Sequence, residues 1–135
     1  QLLWFENPSW TRHVVAEKVT EKDNVCVAPY DVDGDGKLDF ALGADRQPAN
    51  TSGGGSLHWV TYGGKVTNIA TEPTLHRIRW ADIDGDGRAE LIVVPLHGRG
   101  TKPPEWGGMP GARILVYRNR PPLRTDSPTG WRCYK

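Results

Sequence analysis

Short runs of alternating apolar and polar residues follow one another along the chain, and each run ends at glycine, proline, asparagine or aspartate. This alternation is typical of β-strands, because successive side chains of a strand point to opposite faces. No stretch keeps the apolar spacing of an amphipathic helix over three turns. The expected fold class is therefore all-β. The predicted strands cover residues 11–17, 24–30, 37–43, 56–62, 65–71, 76–81, 89–95, 112–118 and 131–135.

The order of strands and turns occurs twice, at an offset of 51 residues from Asp31 to Asp82. A repeat of about fifty residues with about four strands is what one blade of a β-propeller requires. The two repeats span about 24–71 and 75–118, within a single partial propeller domain over 1–135. That length supplies about two and a half blades, whereas closed propellers have about four to eight. We therefore expect the remaining blades of a larger parent propeller as partners.

Each repeat carries an acidic loop with four carboxylates within nine residues, at relative positions 1, 3, 5 and 9. The residue at position 7 can add its main-chain carbonyl. Oxygen ligands of this number suit calcium, which takes about six to eight. Glycines between the acids allow a positive φ, so that alternate side chains converge. The predicted ligands of the two calcium sites are Asp31, Asp33, Asp35, Lys37 and Asp39, and Asp82, Asp84, Asp86, Arg88 and Glu90.

Acidic loops of this spacing have two alternatives to the predicted calcium sites. An EF-hand requires a glutamate at position 12 and flanking helices. Position 12 is Leu42 in one loop and Val93 in the other, and both flanks are predicted strands, so the EF-hand is excluded. A solvated acidic turn without metal remains the alternative. If calcium binds, its expected role is structural, because it would hold together the hairpin between the first two strands of a blade.

The segments "DVDGDGKLDFALG" and "DIDGDGRAELIVV" resemble the FG-GAP/VCBS-type repeats of β-propellers, including the calcium hairpin loops of integrin-like propellers. This resemblance covers most of residues 24–118. It implies a rigid, secreted scaffold, extracellular or periplasmic, that binds a ligand or carbohydrate. An adhesion module that binds a protein partner is the alternative within the same family.

A narrower resemblance concerns bacterial VCBS-repeat proteins related to aldos-2-ulose dehydratase, in which a propeller cleft holds zinc and a catalytic histidine. The segment "PTLHRIRWADIDGDG" carries the matching position, His76, and His97 follows the next predicted strand. The resemblance implies a zinc-dependent dehydratase or lyase acting on a keto-sugar, with His76 as base or zinc ligand. A packed or exposed histidine without catalytic function is the alternative for both residues.

Two residues near His97 are candidate ligand contacts. Trp106 lies in a long loop, "PPEWGGMPG", and could offer a stacking platform to a carbohydrate. Arg99 could hold an anionic or hydroxylated ligand, although a solvated charge is the alternative. Tryptophans within the predicted strands are expected to pack between blades.

Charge and motifs exclude several functions. A formal net charge of +1 gives no electrostatic reason to expect nucleic acid or an anionic membrane. No apolar run approaches the roughly 20 residues of a spanning helix, and no nucleophile elbow or phosphate-binding loop occurs. Cys26 lies in an apolar run and is interpreted as a buried free thiol, although a disulfide with Cys133 is possible if the two segments meet.

Overall fold

The computed structural model describes residues 1–104, 111–119 and 130–134, and these residues form strands and turns. None of them forms a helix long and apolar enough to cross a membrane. The described strands confirm the all-β expectation. In chain order they are β1 (Leu2–Glu6), β2 (Thr11–Ala16), β3 (Cys26–Tyr30), β4 (Asp39–Ala44), β5 (Ser56–Val60), β6 (Val66–Thr71), β7 (Leu75–Ala81), β8 (Glu90–Pro95), β9 (Leu115–Asn119) and β10 (Trp131–Tyr134).

The strands form two four-stranded antiparallel sheets and one hairpin. The first sheet has the order β3-β4-β5-β6, the second has the order β7-β8-β9-β10, and β1 pairs with β2. Strands that follow one another in sequence are therefore neighbours in space, as in the blades of a propeller. The described residues thus form two four-stranded sheets and one further hairpin, which confirms the predicted partial propeller fold.

The two sheets pack face to face through side chains of unequal size. On the first sheet this face carries Ala41 and Gly43, and on the second it carries Leu75 and Leu91, which are fully buried. A Cβ atom at Gly43 would lie 2.6 Å from Cδ2 of Leu75. Small residues on one sheet thus make room for large residues on the next, and close packing follows.

The hairpin covers the opposite face of the first sheet. Leu2 of β1 and Ala16 of β2 form a second buried cluster with Phe40, Leu42 and Val60. Strand β4 is consequently buried on both faces along its whole length. Strand β1 was missing from the predicted strands, because its apolar residues do not alternate with polar ones.

Aromatic side chains connect the two sheets at one end of the interface. Tyr30 stacks on Trp80 with ring centroids 5.1 Å apart. The indole N–H of Trp80 donates to the carbonyl of Ala28 at 3.1 Å, and the main-chain N–H of Ala89 donates to the Tyr30 hydroxyl at 3.2 Å. Trp131 lies against Trp80, with centroids 6.0 Å apart. The expected packing of tryptophans between blades is confirmed at these positions.

Both cysteines are free thiols, and their surroundings predict different reactivity. Burial raises the pKa of Cys26 from 9.0 to about 11, because a thiolate is poorly solvated there. Cys133 is exposed. Since the thiolate is the nucleophile, iodoacetamide at pH 8 should label Cys133 at least about tenfold faster than Cys26. Peptide mass spectrometry over time would measure both rates. Labelling in denaturant, where the two rates should converge, is the control, and equal rates in the native protein would contradict the prediction.

Candidate metal centres

The two acidic loops lie at the same end of the strands in both sheets, because each connects the first strand of its sheet to the second. In the first loop, one carboxylate oxygen from each acid lies within 4.8 Å of the others in the group Asp31, Asp33 and Asp35. The second loop forms the same kind of group from Asp82, Asp84 and Asp86. Six of the ten predicted ligands are therefore brought together, three in each loop.

Main-chain N–H groups organise the first loop around the carboxylate of Asp31. The N–H groups of Gly34 and Asp35 donate to its Oδ1 at 2.8 and 3.1 Å, and that of Gly36 donates to its Oδ2 at 2.9 Å. Both glycines have a positive φ, +78° and +82°, and a Cβ at either position would meet no atom within 4 Å. Glycine is therefore favoured here by the backbone conformation and not by lack of space.

The second loop repeats this arrangement bond for bond. The N–H groups of Gly85 and Asp86 donate to Oδ1 of Asp82 at 2.7 and 3.2 Å, and that of Gly87 donates to Oδ2 at 2.9 Å. Its glycines also have a positive φ, +77° and +85°. Two segments 51 residues apart thus fold the same loop, because they share the same acid and glycine spacing.

The structure places the acids at position 9 beneath the loops. Asp39 is buried, and its carboxylate accepts hydrogen bonds from the Trp59 indole at 2.9 Å and from the N–H of Tyr62 at 3.1 Å. Burial raises its pKa, partly offset by these bonds. Glu90 is also buried and accepts from the N–H of Ile83 at 3.0 Å. Neither acid belongs to the three-carboxylate group of its loop.

The roles of the remaining predicted ligands stay predictions. These are the carboxylates of Asp39 and Glu90 and the main-chain carbonyls of Lys37 and Arg88. The N–H groups of the latter two residues donate to the preceding acids of the same loop, Asp35 and Asp86, at 2.8 and 2.9 Å.

The second loop has a cationic neighbour that the first lacks among the described ion pairs. Arg118 of β9 pairs with Asp84 in the loop and, through Nε at 3.2 Å, with Glu90 beneath it. In the first loop the corresponding buried acid, Asp39, bonds to neutral donors instead. The second acidic group therefore has a positively charged neighbour supplied by its own sheet.

A cleft of about 320 Å³ lies at the end of the second sheet's strands that is opposite the acidic loop, where β8 ends and β9 begins. His97 and Arg99, both predicted from the sequence, line it together with Glu72 and Arg113. Arg99 donates to the Thr71 carbonyl at 3.2 Å and to the Glu72 carboxylate at 3.1 Å. Glu72 and Arg113 were not predicted from the sequence. Their position just before β7 and β9, at the same blade edge as His97, was the signal that could have identified them.

His76 does not belong to this cleft's described lining. Its Nδ1 accepts from the Arg77 guanidinium at 2.8 Å. Desolvation lowers the pKa of His76, and the positive charges of Arg77 and Arg46 lower it further. Among the described residues, groups of potential metal ligands occur only in the acidic loops, and neither group contains a histidine. Zinc at His76 and catalysis by His76 or His97 stay predictions. Trp106 lies outside the described residues.

Comparison with known families gives one match, and it covers the region of the acidic loops. Residues 31–93 match the family model of the FG-GAP-like repeat. Comparison with curated proteins found no match, and comparison with solved structures found none either. The narrower relation to aldos-2-ulose dehydratase is not supported by these results. Residues 31–93 are therefore similar to the FG-GAP-like repeat, and the two four-stranded sheets of the described residues agree with blades of a partial β-propeller.

Proposed function

We propose that the protein is a calcium-stabilised β-propeller scaffold that presents its blade edges to a carbohydrate or protein ligand outside the cytoplasm. The observation that carries this proposal is the repeated loop geometry. Each loop gathers three carboxylate oxygens within 4.8 Å and uses the same three N–H groups to orient its first aspartate. Three negative charges at that distance repel one another, and a bound cation would relieve the repulsion.

The chemistry of the donors favours calcium over other metals. Every side chain in the two groups offers carboxylate oxygen, and hard oxygen donors suit Ca²⁺ better than zinc, which prefers nitrogen and sulfur. The loops are exposed at the blade edge, so solvent can complete the coordination. Extracellular calcium modules bind at about 0.1–1 mM. A pair of exposed sites of this kind agrees with a location in a calcium-rich, extracellular medium.

The outer face of the second sheet supports the inferred parent propeller. Ile92 and Val94 of β8 are half-buried on this face and pair with Arg79 and Arg77 of β7. The equivalent face of the first sheet is the one that the second sheet covers. By the repeat, a further blade would cover Ile92 and Val94 in the same way. We propose that these residues contact the next blade of the parent protein.

Calcium titration by isothermal calorimetry tests the metal sites one at a time. The unmodified protein should bind two calcium ions, and Asp31→Asn or Asp82→Asn should each leave one, because each change removes the carboxylate that organises one loop. The site that remains in Asp31→Asn should be the weaker one, since Arg118 competes with the cation for Asp84. A difference of about 1 kcal/mol in binding free energy between the two sites would correspond to roughly fivefold in calcium affinity.

A matched control comes from an aspartate outside the loops. Asp45 bonds to the side chain of Gln47 and contributes to neither carboxylate group, so Asp45→Asn should keep both calcium sites. Absence of calcium binding by the unmodified protein at millimolar calcium would refute the proposed function. Equal loss of binding in Asp45→Asn and Asp31→Asn would refute the assignment of the sites.

A further inference from the structure

The cleft at the edge opposite the acidic loops has the size of a small-molecule site. Its volume is about 320 Å³, which is near the lower end of the roughly 300–1,000 Å³ found for ligand pockets. A ligand of monosaccharide size would fill it. The described lining combines charged and apolar side chains, namely Glu72, Pro95, His97, Arg99, Arg113 and Leu115.

The charged side chains of the cleft's described lining are one carboxylate and two guanidinium groups. The side chain of Glu72 is only 12% exposed and pairs with Arg99 at 3.1 Å. A second bond from the same guanidinium nitrogen to the Thr71 carbonyl fixes the orientation of Arg99. A guanidinium has five donors in a planar fork, so Arg99 keeps donors for a ligand. Arg113 is exposed and makes no ion pair within the described part of the chain.

A strained residue positions the rim of the cleft. Thr74 is 2% exposed and has φ of +56°, a conformation that β-branched residues avoid. Its hydroxyl donates to the His97 carbonyl at 3.2 Å and accepts from the His97 N–H at 3.1 Å. Asp23, at the equivalent place in the first repeat, has φ of +58°, and aspartate tolerates this region more readily.

Asp23 and Thr74 occupy equivalent places in the two repeats and share the left-handed backbone conformation. Both repeats need the left-handed turn before the first strand of the blade, but only the second carries a threonine there. Threonine accepts a strain of about 1–3 kcal/mol. In return, its two hydrogen bonds fix the main chain of His97 at the cleft.

We propose that this cleft binds a small monoanionic ligand through its carboxylate. The described lining carries two guanidinium groups and one carboxylate, a formal charge of +1, which favours a ligand with one carboxylate. Arg99 and Arg113 bind the carboxylate. The proposal rests on the proposed function, since it names the ligand class of the scaffold.

Binding is tested by NMR titration of the protein in calcium-containing buffer with sodium glucuronate. Glucose serves as the neutral probe and inorganic phosphate as the alternative anion. Glucuronate should shift resonances of residues around the cleft and saturate, whereas glucose should shift them at least about tenfold less at equal concentration. Arg113→Gln should weaken glucuronate binding at least about tenfold, because it removes a charge-assisted hydrogen bond. Arg79→Gln, an exposed arginine of β7 outside the described lining, should leave it unchanged.

The outcomes distinguish this inference from the calcium proposal. Tighter binding of phosphate than of glucuronate would overturn the carboxylate class. Equal binding of glucuronate and glucose, no saturable shifts, or equal weakening by Arg113→Gln and Arg79→Gln would overturn the site. A failure of calcium binding would appear in the calorimetric titration, which contains none of these probes. The two tests are separate because the acidic loops and the cleft lie at opposite ends of the strands.

Discussion

Removal of calcium is expected to lower the midpoint of thermal unfolding by an amount on the order of 15 °C. At a calcium concentration of one hundred times Kd, a single site stabilises the folded state by about 2.7 kcal/mol. Two independent sites would contribute about twice that, which is comparable to the total stability of many domains, about 5–15 kcal/mol. Circular dichroism in calcium and in excess chelator would measure the shift.

The expected loss has a local origin in the acidic loops. Without the cation, three carboxylates remain within 4.8 Å of one another in each loop. Their repulsion favours opening of the hairpins between β3 and β4 and between β7 and β8, and these strands also carry the interface between the sheets. Repulsion between the carboxylates therefore weakens the same strands that form the core between the two sheets.

A double variant provides the control for chelation. Asp31→Asn with Asp82→Asn should show the same unfolding midpoint with and without calcium, because both organising carboxylates are lost. Magnesium at the same concentration should stabilise the unmodified protein less, since Mg²⁺ demands octahedral geometry and gives up water reluctantly. An unchanged midpoint after chelation of the unmodified protein would contradict the structural role of calcium.

Substitution of Gly55 by alanine is expected to destabilise the protein by about 3–5 kcal/mol. Gly55 has φ of +71°, and a Cβ there would lie 1.9 Å from the carbonyl oxygen of Glu72. That oxygen belongs to the backbone and cannot rotate away. The N–H of Gly55 also donates to Asp45 at 2.8 Å, and its carbonyl accepts from Glu72 at 3.0 Å, so movement of the main chain would break both bonds.

Urea unfolding of Gly55→Ala and of a matched glycine variant would measure this difference. Gly63 is exposed, and a Cβ there would meet only the Thr61 hydroxyl at 3.9 Å, so Gly63→Ala should change the unfolding free energy by less than about 1 kcal/mol. Similar losses in both variants would show that the close approach at Glu72 does not limit stability.

The strands could largely be predicted from the sequence, because alternation and turn residues are local signals. Nine predicted runs overlap nine observed strands, with ends that differ by up to three residues, as at β9. Strand β1 lacked the signal, since Leu2 to Phe5 form an uninterrupted apolar run. Its partner and its burial come from the hairpin with β2 and from packing on Phe40, which are tertiary contacts.

The same difference between local signals and tertiary contacts applies to the candidate sites. The grouping of Asp31, Asp33 and Asp35 follows from their spacing and the two glycines, so local sequence was sufficient. The contact of Arg118 with Asp84 joins residues 34 positions apart and depends on the pairing of β8 with β9. The Glu72 to Arg99 bridge likewise depends on the sheet. No local pattern predicts such pairs, because the strands must first be placed beside each other.

The unequal faces at the blade interface make the order of the repeats directional. Ala41 and Gly43 leave room for Leu75 and Leu91, whereas the equivalent positions of the second repeat carry Ile92 and Val94. A tandem of two second repeats would bring large side chains against large ones, and overpacking of this kind costs about 1–3 kcal/mol. Duplication or exchange of these blades would therefore require compensating changes in side-chain volume, so each blade is matched to one neighbour and is not a freely exchangeable module.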